Sequence, residues 1–488
     1  MKSSRRVAAI PASDSASRRL LKFLPAVAGL LFPFFVHFEG LSVLGHYTLG
    51  IFIAAACLWV LEPIPIFATS IAAIFLQILL ISKEGPAHQI FGVPSDIDYK
   101  GILAVVMSPT VVLFLGGFAI ADAFKKYNID VQIARVMLRP FGRKPSMILL
   151  GIISLTALFS AFMSNTACTA MMMAIMLPAV AAVGQGDRFR VAVILAVPYA
   201  ANIGGMITPI GTPPNAVAVG ALAKQGLSVD FFQWVLMAAP FALVMLAFMW
   251  LLFMKMFPPA TKTVDIVLPQ GTTSNWRTWT VYGIFGATVA LWLTGPVHNL
   301  PDAIPALLPV AAFTALGILS SKDFNTMSWD ILWLIAGGLT LGDSMEKTGL
   351  SKWVIGQVNW SGMAPWLLIG AFALGAMLLS EFMSHTAASN IFVPLGVAFA
   401  TGIVPEAFGI ADKNWFIVSL VVAIGLATSL AMALPISTPP NAIAYGTGQI
   451  KNKDMLVTGL IIGAVGITLL AFGMPALWDF WKGIGLIR

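Results

Sequence analysis

The chain reads as a succession of long apolar runs separated by short polar stretches. Runs lie near 23–38, 46–62, 64–82, 103–122, 190–222, 231–254, 279–294, 303–320, 330–345, 414–447 and 456–478. About 20 consecutive apolar residues cross the hydrocarbon layer as a helix, and lipid leaves no alternative, because every backbone polar group must be satisfied within the segment. The pattern predicts eleven transmembrane helices. Two further apolar segments, 147–181 and 366–400, are too long for one span and have small, polar centres, Ser164-Asn165-Thr166 and Ser384-His385-Thr386. Two half-length helices meeting at a polar tip account for both features. A kinked spanning helix whose Ser and Thr bond back to the preceding turn is the alternative. That the design occurs twice favours re-entrant hairpins.

Composition sharpens this reading. Apolar residues make up 58% of the 488 positions and charged residues only 10%, against roughly 25% charged in soluble domains. With a mean hydropathy of +0.89, the chain is expected to be an all-α polytopic membrane protein embedded in a lipid bilayer. Two cysteines, Cys57 and Cys168, exclude a disulfide scaffold and a Cys-based metal cluster. The net charge of +7 requires no nucleic acid, since basic loops set the orientation of a multispanning protein. With a cytoplasmic N-terminus, and with each special segment entering and leaving on one side, 20 of the 28 Lys and Arg fall inside. The inner (plasma) membrane of a bacterium is the expected location. Ala26-Val27-Ala28 resembles a signal-peptide cleavage site, but the many later spans favour an uncleaved first helix. Segment 128–144 alternates apolar residues with Arg135, Arg139, Arg143 and Lys144, as an amphipathic helix on the cytoplasmic face does.

The chain also repeats itself. Phe114-Leu-Gly-Gly-Phe-Ala-Ile-Ala-Asp122 aligns with Ile335-Ala-Gly-Gly-Leu-Thr-Leu-Gly-Asp343, Ser160-Ala-Phe-Met-Ser-Asn-Thr-Ala167 with Ser380-Glu-Phe-Met-Ser-His-Thr-Ala387, and Gly211-Thr-Pro-Pro-Asn-Ala216 with Ser437-Thr-Pro-Pro-Asn-Ala442. The offsets are 221, 220 and 226 residues. Three blocks in the same order point to one helix followed by two copies of a unit. Five crossings separate the two special segments, an odd number, so the second copy is expected upside down relative to the first. Inverted repeats with interrupted helices are the architecture of secondary transporters, which bind substrate near the midplane.

Each copy carries two chemically distinctive segments, the polar tip and a double-proline break. Consecutive prolines remove donors and clash with the preceding turn, so Thr212-Pro213-Pro214-Asn215 and Thr438-Pro439-Pro440-Asn441 interrupt their helices. Asn215 and Asn441 are expected to cap the half-helices that restart. The blocks 159–178, 198–216, 380–396 and 425–445 contain no Lys or Arg. They offer hydroxyls, amides, freed carbonyls and helix N-termini, groups suited to an anion and a small cation together. An anion bound without a basic side chain needs a cation from solution, and oxygen ligands favour a hard ion, sodium above all. Two matching tips further suit a substrate with two like ends, such as a dicarboxylate.

These motifs resemble those of the divalent anion/sodium symporter family, the INDY-type dicarboxylate transporters, over nearly the whole length. The resemblance implies a homodimer working as an elevator. Scaffold helices 1–4 and 7–9 with their arms would occupy 23–144 and 277–362. A mobile part holding both hairpins and helices 5, 6, 10 and 11 would occupy 145–257 and 363–488, with a cytoplasmic tail at 1–22 and a cytoplasmic linker at 258–276. It implies a first sodium at Ser160, Ser164, Asn165 and the Gly211 carbonyl, and a second at Ser380, the Met383 carbonyl, His385 and the Ser437 carbonyl. Substrate carboxylates would meet Asn165-Thr166 and His385-Thr386, with Thr212-Pro213 and Thr438-Pro439 alongside. The departure is His385, where sodium-coupled members have Asn. A histidine acts as a neutral ligand or as a built-in cation, and Glu381, four residues earlier, is expected to hold the imidazolium. Some citrate/succinate antiporters of the family are similar in having Ser-Ala-His-Thr at this tip.

The expected function is sodium-coupled carriage of C4-type dicarboxylates, with sodium-independent exchange, or proton linkage through His385, as the alternatives. An intramembrane enzyme would need a nucleophile facing a base, and Ser384 and His385, adjacent on one helix, point about 100° apart. A channel is the third reading. Glu62, Asp122 and Asp343 lie at or near span ends and read as interfacial or scaffold groups. His37, His46, His88 and His298 lack metal-ligand spacing.

Overall fold

The computed structural model describes residues 16–184, 186–264, 275–357, 363–403, 408, 410 and 412–483. Most of the tail with Lys2, Arg5 and Arg6, the linker over 265–274, part of the second arm at 358–362, and Arg488 lie outside the described residues. Among the described residues the chain is helical throughout, without a strand, and it is an integral, multi-pass membrane protein.

Among the described residues, five helical stretches are long and apolar enough to cross a membrane, Val43–Leu61, Ile66–Gln89, Tyr99–Lys126, Phe231–Met256 and Asn452–Trp481, the second interrupted at 82–85 and the third at 107–108. Several other apolar runs are cut into shorter pieces, and the cuts follow local chemistry. Prolines that fix φ and lack an N–H start helices without loss, and they begin Pro109–Lys126, Pro145–Ser160, Pro213–Lys224, Pro365–Ser380 and Pro439–Tyr445. The predicted run 190–222 is two helices, Phe189–Gly205 and Pro213–Lys224, and 414–447 is Lys413–Thr428 and Pro439–Tyr445. The double prolines begin the second helix of each pair, whereas the first ends earlier, at Gly205 and at Thr428. The amphipathic segment forms the helix Ile129–Leu138, burying Ile129, Ala134 and Leu138.

The two special segments have matching anatomies. Pro145–Ser160 and Asn165–Ala182 are joined through 161–164, and Pro365–Ser380 and His385–Gly402 through 381–384. The arms are 16 and 18 residues long in both copies, about 24–27 Å at 1.5 Å per residue. The expectation of half-length helices is corrected here: the apolar sequence continues on both flanks of each tip, and the arms extend with it.

Packing gathers elements distant in sequence. The largest apolar cluster draws on residues between Ala134 and Val264 and between Leu368 and Met474. A second draws on Ile74–Ile129 and Val281–Leu339, with Ile210, Ala216 and Phe231. Double glycines of the first repeated block lie where helices approach closely. A Cβ on Gly116 would overlap the Ala306 carbonyl, and one on Gly338 would overlap the Asn390 carboxamide.

Candidate functional site

Both Thr-Pro-Pro-Asn segments restart a helix in the same way. Thr212 (φ −148°, ψ 144°) and Thr438 (φ −145°, ψ 151°) are the extended N-cap residues, followed by proline in the first turn. The Thr438 hydroxyl accepts from Asn441 N at 3.2 Å. The asparagines do something other than the capping expected of them. Asn215 Nδ2 donates to the carbonyls of Gly205 (3.0 Å), Met206 (3.3 Å) and Thr208 (2.8 Å), and Asn441 Nδ2 donates to Leu434 O and Ser437 Oγ, both at 3.0 Å. Each therefore reaches back to satisfy acceptors freed by the break. The physical reason is position: the third residue of a restarting helix points toward the preceding turn, and the N-cap position belongs to threonine, whose hydroxyl makes a cap bond at 438 and none at 212.

The first polar tip lies against the first break. Ser160 is fully buried, and its Oγ is 2.7 Å from Ala201 O and 2.8 Å from Asn165 Oδ1. Ser164 caps the second arm by accepting from Ala167 N at 3.2 Å. Asn165 Nδ2 donates to Asn202 Oδ1 at 3.4 Å. Gly205 and Gly211 are glycines of necessity here: a Cβ on Gly205 would strike the Asn165 carboxamide, and one on Gly211 would strike the Gly205 carbonyl. Thr208 Oγ1 closes the loop by donating to Ala161 O. Ser160 bonds Asn165, and Gly205 brings the loop that includes Gly211 against Asn165, while Thr166 is exposed.

The second tip repeats the arrangement with different occupants. Ser380 is buried and donates to Thr428 O at 2.9 Å, the counterpart of Ser160 on Ala201. Met383, His385, Thr386, Ser437 and Thr438 are all buried, and Ser384 caps its arm by accepting from Ala387 N. Where the first tip presents the Asn165 amide oxygen, the second places His385 Nε2 2.9 Å from Ala431 O. A carbonyl only accepts, so Nε2 carries the proton in this contact. The second cluster therefore holds an N–H donor where the first holds an acceptor.

Glu381 corrects a further expectation. Its carboxylate accepts from Ala433 N (2.9 and 3.1 Å) and Leu434 N (3.1 Å), and among the described residues it makes no ion pair with His385. The spacing of four applies within one continuous helix, but the first arm ends at Ser380 and His385 opens the next helix. Glu381 instead clamps the unwound segment between Thr428 and Thr438. Ser384 and His385 are likewise engaged separately, the one on Ala387 N and the other on Ala431 O.

Sequence reasoning missed Asn202, whose Nδ2 is buried without a partner, and the backbone role of Glu381. A lone amide in the apolar stretch Tyr199-Ala-Ala-Asn-Ile203 was the available signal for the former. The restart helix of each copy packs against the hairpin arm of the other: Pro213–Lys224 against His385–Gly402, and Pro439–Tyr445 against Asn165–Ala182.

Comparison with known proteins adds independent findings. Residues 56–411 match the family model described as "Citrate transporter" (CitMHS). The chain is 26% identical over 469 residues to the sodium-dependent dicarboxylate transporter SdcS of Staphylococcus saprophyticus, covering 88% of this chain and 86% of that protein. It is 27% identical over 502 residues to SdcS of Staphylococcus aureus, covering 94% and 91%. Among solved structures, the Alcanivorax borkumensis YdaH transporter shares the fold at a TM-score of 0.51 and 12% identity, covering 78% of this chain and 86% of that one.

Proposed function

The chain belongs to the citrate transporter family, and so to the divalent anion/sodium symporters that its motifs resemble; from that premise we propose that it is a sodium-coupled secondary transporter of C4-type dicarboxylates such as succinate, malate and fumarate. The observation that carries this reading is the oxygen-rich cluster of buried Ser160, half-buried Asn165 and the 205–211 loop, with no Lys or Arg in the surrounding blocks. Such a donor set favours a hard monovalent cation. Sodium would be held by Ser160, Ser164, Asn165 and the Gly211 carbonyl, and its charge would offset that of a carboxylate at Asn165-Thr166 and Thr212-Pro213. The second carboxylate would meet His385-Thr386 and Thr438-Pro439. The names of the SdcS relatives support both ion and substrate class.

In this reading the second sodium position, at Ser380, Met383, His385 and Ser437, is reduced or replaced, because His385, one of its intended ligands, turns an N–H donor to the Ala431 carbonyl instead of presenting an oxygen. That same contact is the observation favouring the second reading, sodium-independent exchange or proton linkage through His385. The mobile unit is assigned to 145–257 and 363–488, joined by the largest apolar cluster. It moves as an elevator against a scaffold at 23–144 and 277–362, in a homodimer with a cytoplasmic N-terminus, both hairpins being re-entrant among eleven spans. The test is succinate uptake into proteoliposomes with and without a sodium gradient, at pH 5.5 and 7.5. Uptake that requires sodium at both values is expected. Full-rate uptake or counterflow without sodium refutes the coupling and leaves the exchanger, while conversion of an ester or peptide without solute movement would leave an enzyme.

A further inference from the structure

The two copies match in sequence but are used differently in the fold. Pro213–Lys224 and His385–Gly402 both pack on Trp329–Lys347, whereas their counterparts Pro439–Tyr445 and Asn165–Ala182 form no comparable interface with Pro109–Lys126. Equivalent side chains record the difference. Ile210 is 5% exposed and Ile436 is 72% exposed; Val219 is buried and Tyr445 is exposed. Thr386, Asn390 and Pro394 are buried along one arm, while Thr166, Ala170 and Ala174 are exposed along the other. One half of the proposed mobile unit is docked and the other is free.

Something specific holds the docked half. Lys224, the last residue of its helix, donates to Leu339 O at 2.6 Å and lies 3.5 Å from Asp343 Oδ1. Asp343 Oδ2 is also 3.0 Å from Lys347. Beside it, Gln225 Nε2 donates to Glu346 Oε2 at 2.6 Å. The Lys224 and Asp343 side chains are 21% and 16% exposed, around a narrow cavity also lined by Pro394 and Thr401. An ion pair this sheltered is screened far less than a surface one, and each charge is costly to leave alone. The end of the other restart helix is followed by Lys451, which is exposed and makes no side-chain ion pair among the described residues.

We propose that Lys224 and Asp343, backed by Gln225 and Glu346, form an ionic latch that holds the docked half of the mobile unit on the scaffold, and that releasing it allows the free half to dock in turn. With the cytoplasmic N-terminus assigned above, the latched half faces the outside and the free half faces the cytoplasm. The latch rests on the reading of a unit that moves between two positions. Lys451 and Asp122 occupy the corresponding places for the opposite position, Asp122 at the offset of 221 and Lys451 one residue past the offset of 226. When the latched contact opens, Lys451 is the cation that approaches the helix carrying Asp122.

The latch is tested in full-length protein in detergent micelles, where both faces are open to reagent, with Cys57→Ser and a single reporter, Ile436→Cys or Ile210→Cys, labelled by a maleimide. Ile436→Cys is expected to label fast and Ile210→Cys slowly. Lys224→Met and Asp343→Asn should each change the ratio of the two rates about tenfold in favour of Ile210→Cys, and Lys224→Arg should keep it within about twofold. Should Lys224→Met fail to fold, Asp343→Asn carries the test, since it leaves the Lys224 contact with Leu339 in place. Ratios equal to the parent in a folded neutral variant, while the parent's labelling still responds to succinate and sodium, overturn the latch. A parent whose two reporters ignore both solutes overturns the moving-unit reading itself.

Discussion

Glu381→Gln tests the clamp on the second break. The carboxylate is 6% exposed and takes N–H groups from Ala433 and Leu434. Hydrogen bonds to a charged acceptor contribute about 1.5–3 kcal/mol each, and a buried N–H left without a partner costs about 1–3 kcal/mol. Glutamine keeps one acceptor oxygen but turns an NH2 donor toward a second N–H. One contact weakens and one amide is orphaned, for a combined cost of about 2–4 kcal/mol, or roughly 30- to 1000-fold in the population of the ordered break. Melting of the purified protein in detergent should fall by several degrees, and succinate uptake should drop at every pH without its pH midpoint moving. Glu381→Ala, which orphans both amides, should be the more damaging. Unchanged melting and uptake in Glu381→Gln would refute the clamp. A displaced pH midpoint with stability intact would restore the carboxylate–imidazolium pairing read from the sequence.

Other substitutions follow from the same geometry. Asn165→Ala removes the amide placed between Ser160 and Asn202 and should abolish uptake; sodium-dependent uptake equal to wild type would show that the first ion binds elsewhere. Gly205→Ala drives a methyl into the Asn165 carboxamide, so the sodium concentration for half-maximal uptake should rise about tenfold or more, whereas Gly473→Ala, with nothing near its Cβ, should change it less than about twofold. His385→Asn replaces the N–H donor on Ala431 with an amide able to present oxygen, and should steepen the sodium dependence and flatten the pH dependence between about pH 5 and 8. Burial, with the charge of Asp230 nearby, pushes Asp302 up to about 7, against the opposing Phe231 N–H. The folded protein therefore holds a proton that the unfolded chain releases above about pH 4, so this residue's contribution to stability is full below about pH 4 and is lost as pH rises through 7. Melting temperature followed from pH 4 to 8 should show that decline in the parent and not in Asp302→Asn.

Much of this architecture was legible because membrane helices leave few alternatives. Double prolines cannot sit inside a helix but can start one, so the restarts at Pro213 and Pro439 were legible, and the extended Thr212 and Thr438 follow from proline's effect on the residue before it; the earlier ends of the first helices at Gly205 and Thr428 were not. The duplication was legible for a different reason: it set two solutions to one problem side by side, and the arms built from them have the same lengths. What was not legible was the number of helices meeting the length of a full span. Hydropathy reports how far an apolar run extends but not where 3.6-residue winding pauses inside it, as at Met107–Ser108 between Tyr99–Val106 and Pro109–Lys126.

The site divides along the same line. Residue types were readable: Ser160 bonds Asn165 and the Ala201 carbonyl, and Ser380 repeats the carbonyl bond on Thr428. Directions were not readable. Glu381 and His385 stand four apart, and in an unbroken helix they would share a face; the turn at 381–384 sends one to the amides of 433 and 434 and the other to the carbonyl of 431. Both then serve the same unwound strand from opposite electrostatic sides, the carboxylate on its donors and the imidazole N–H on its acceptor. In the first copy the equivalent of Glu381 is Ala161, and the strand from 205 to 211 is held instead by Asn215 and Thr208. The second break is thus held by an ionisable pair where the first is held by neutral groups. In the second copy the imidazole N–H covers the Ala431 oxygen, whereas in the first the Asn165 amide oxygen faces the Ser160 hydroxyl. Under the proposed function, ion coupling through the first copy, with the second ion reduced or replaced, is what these unequal halves would produce.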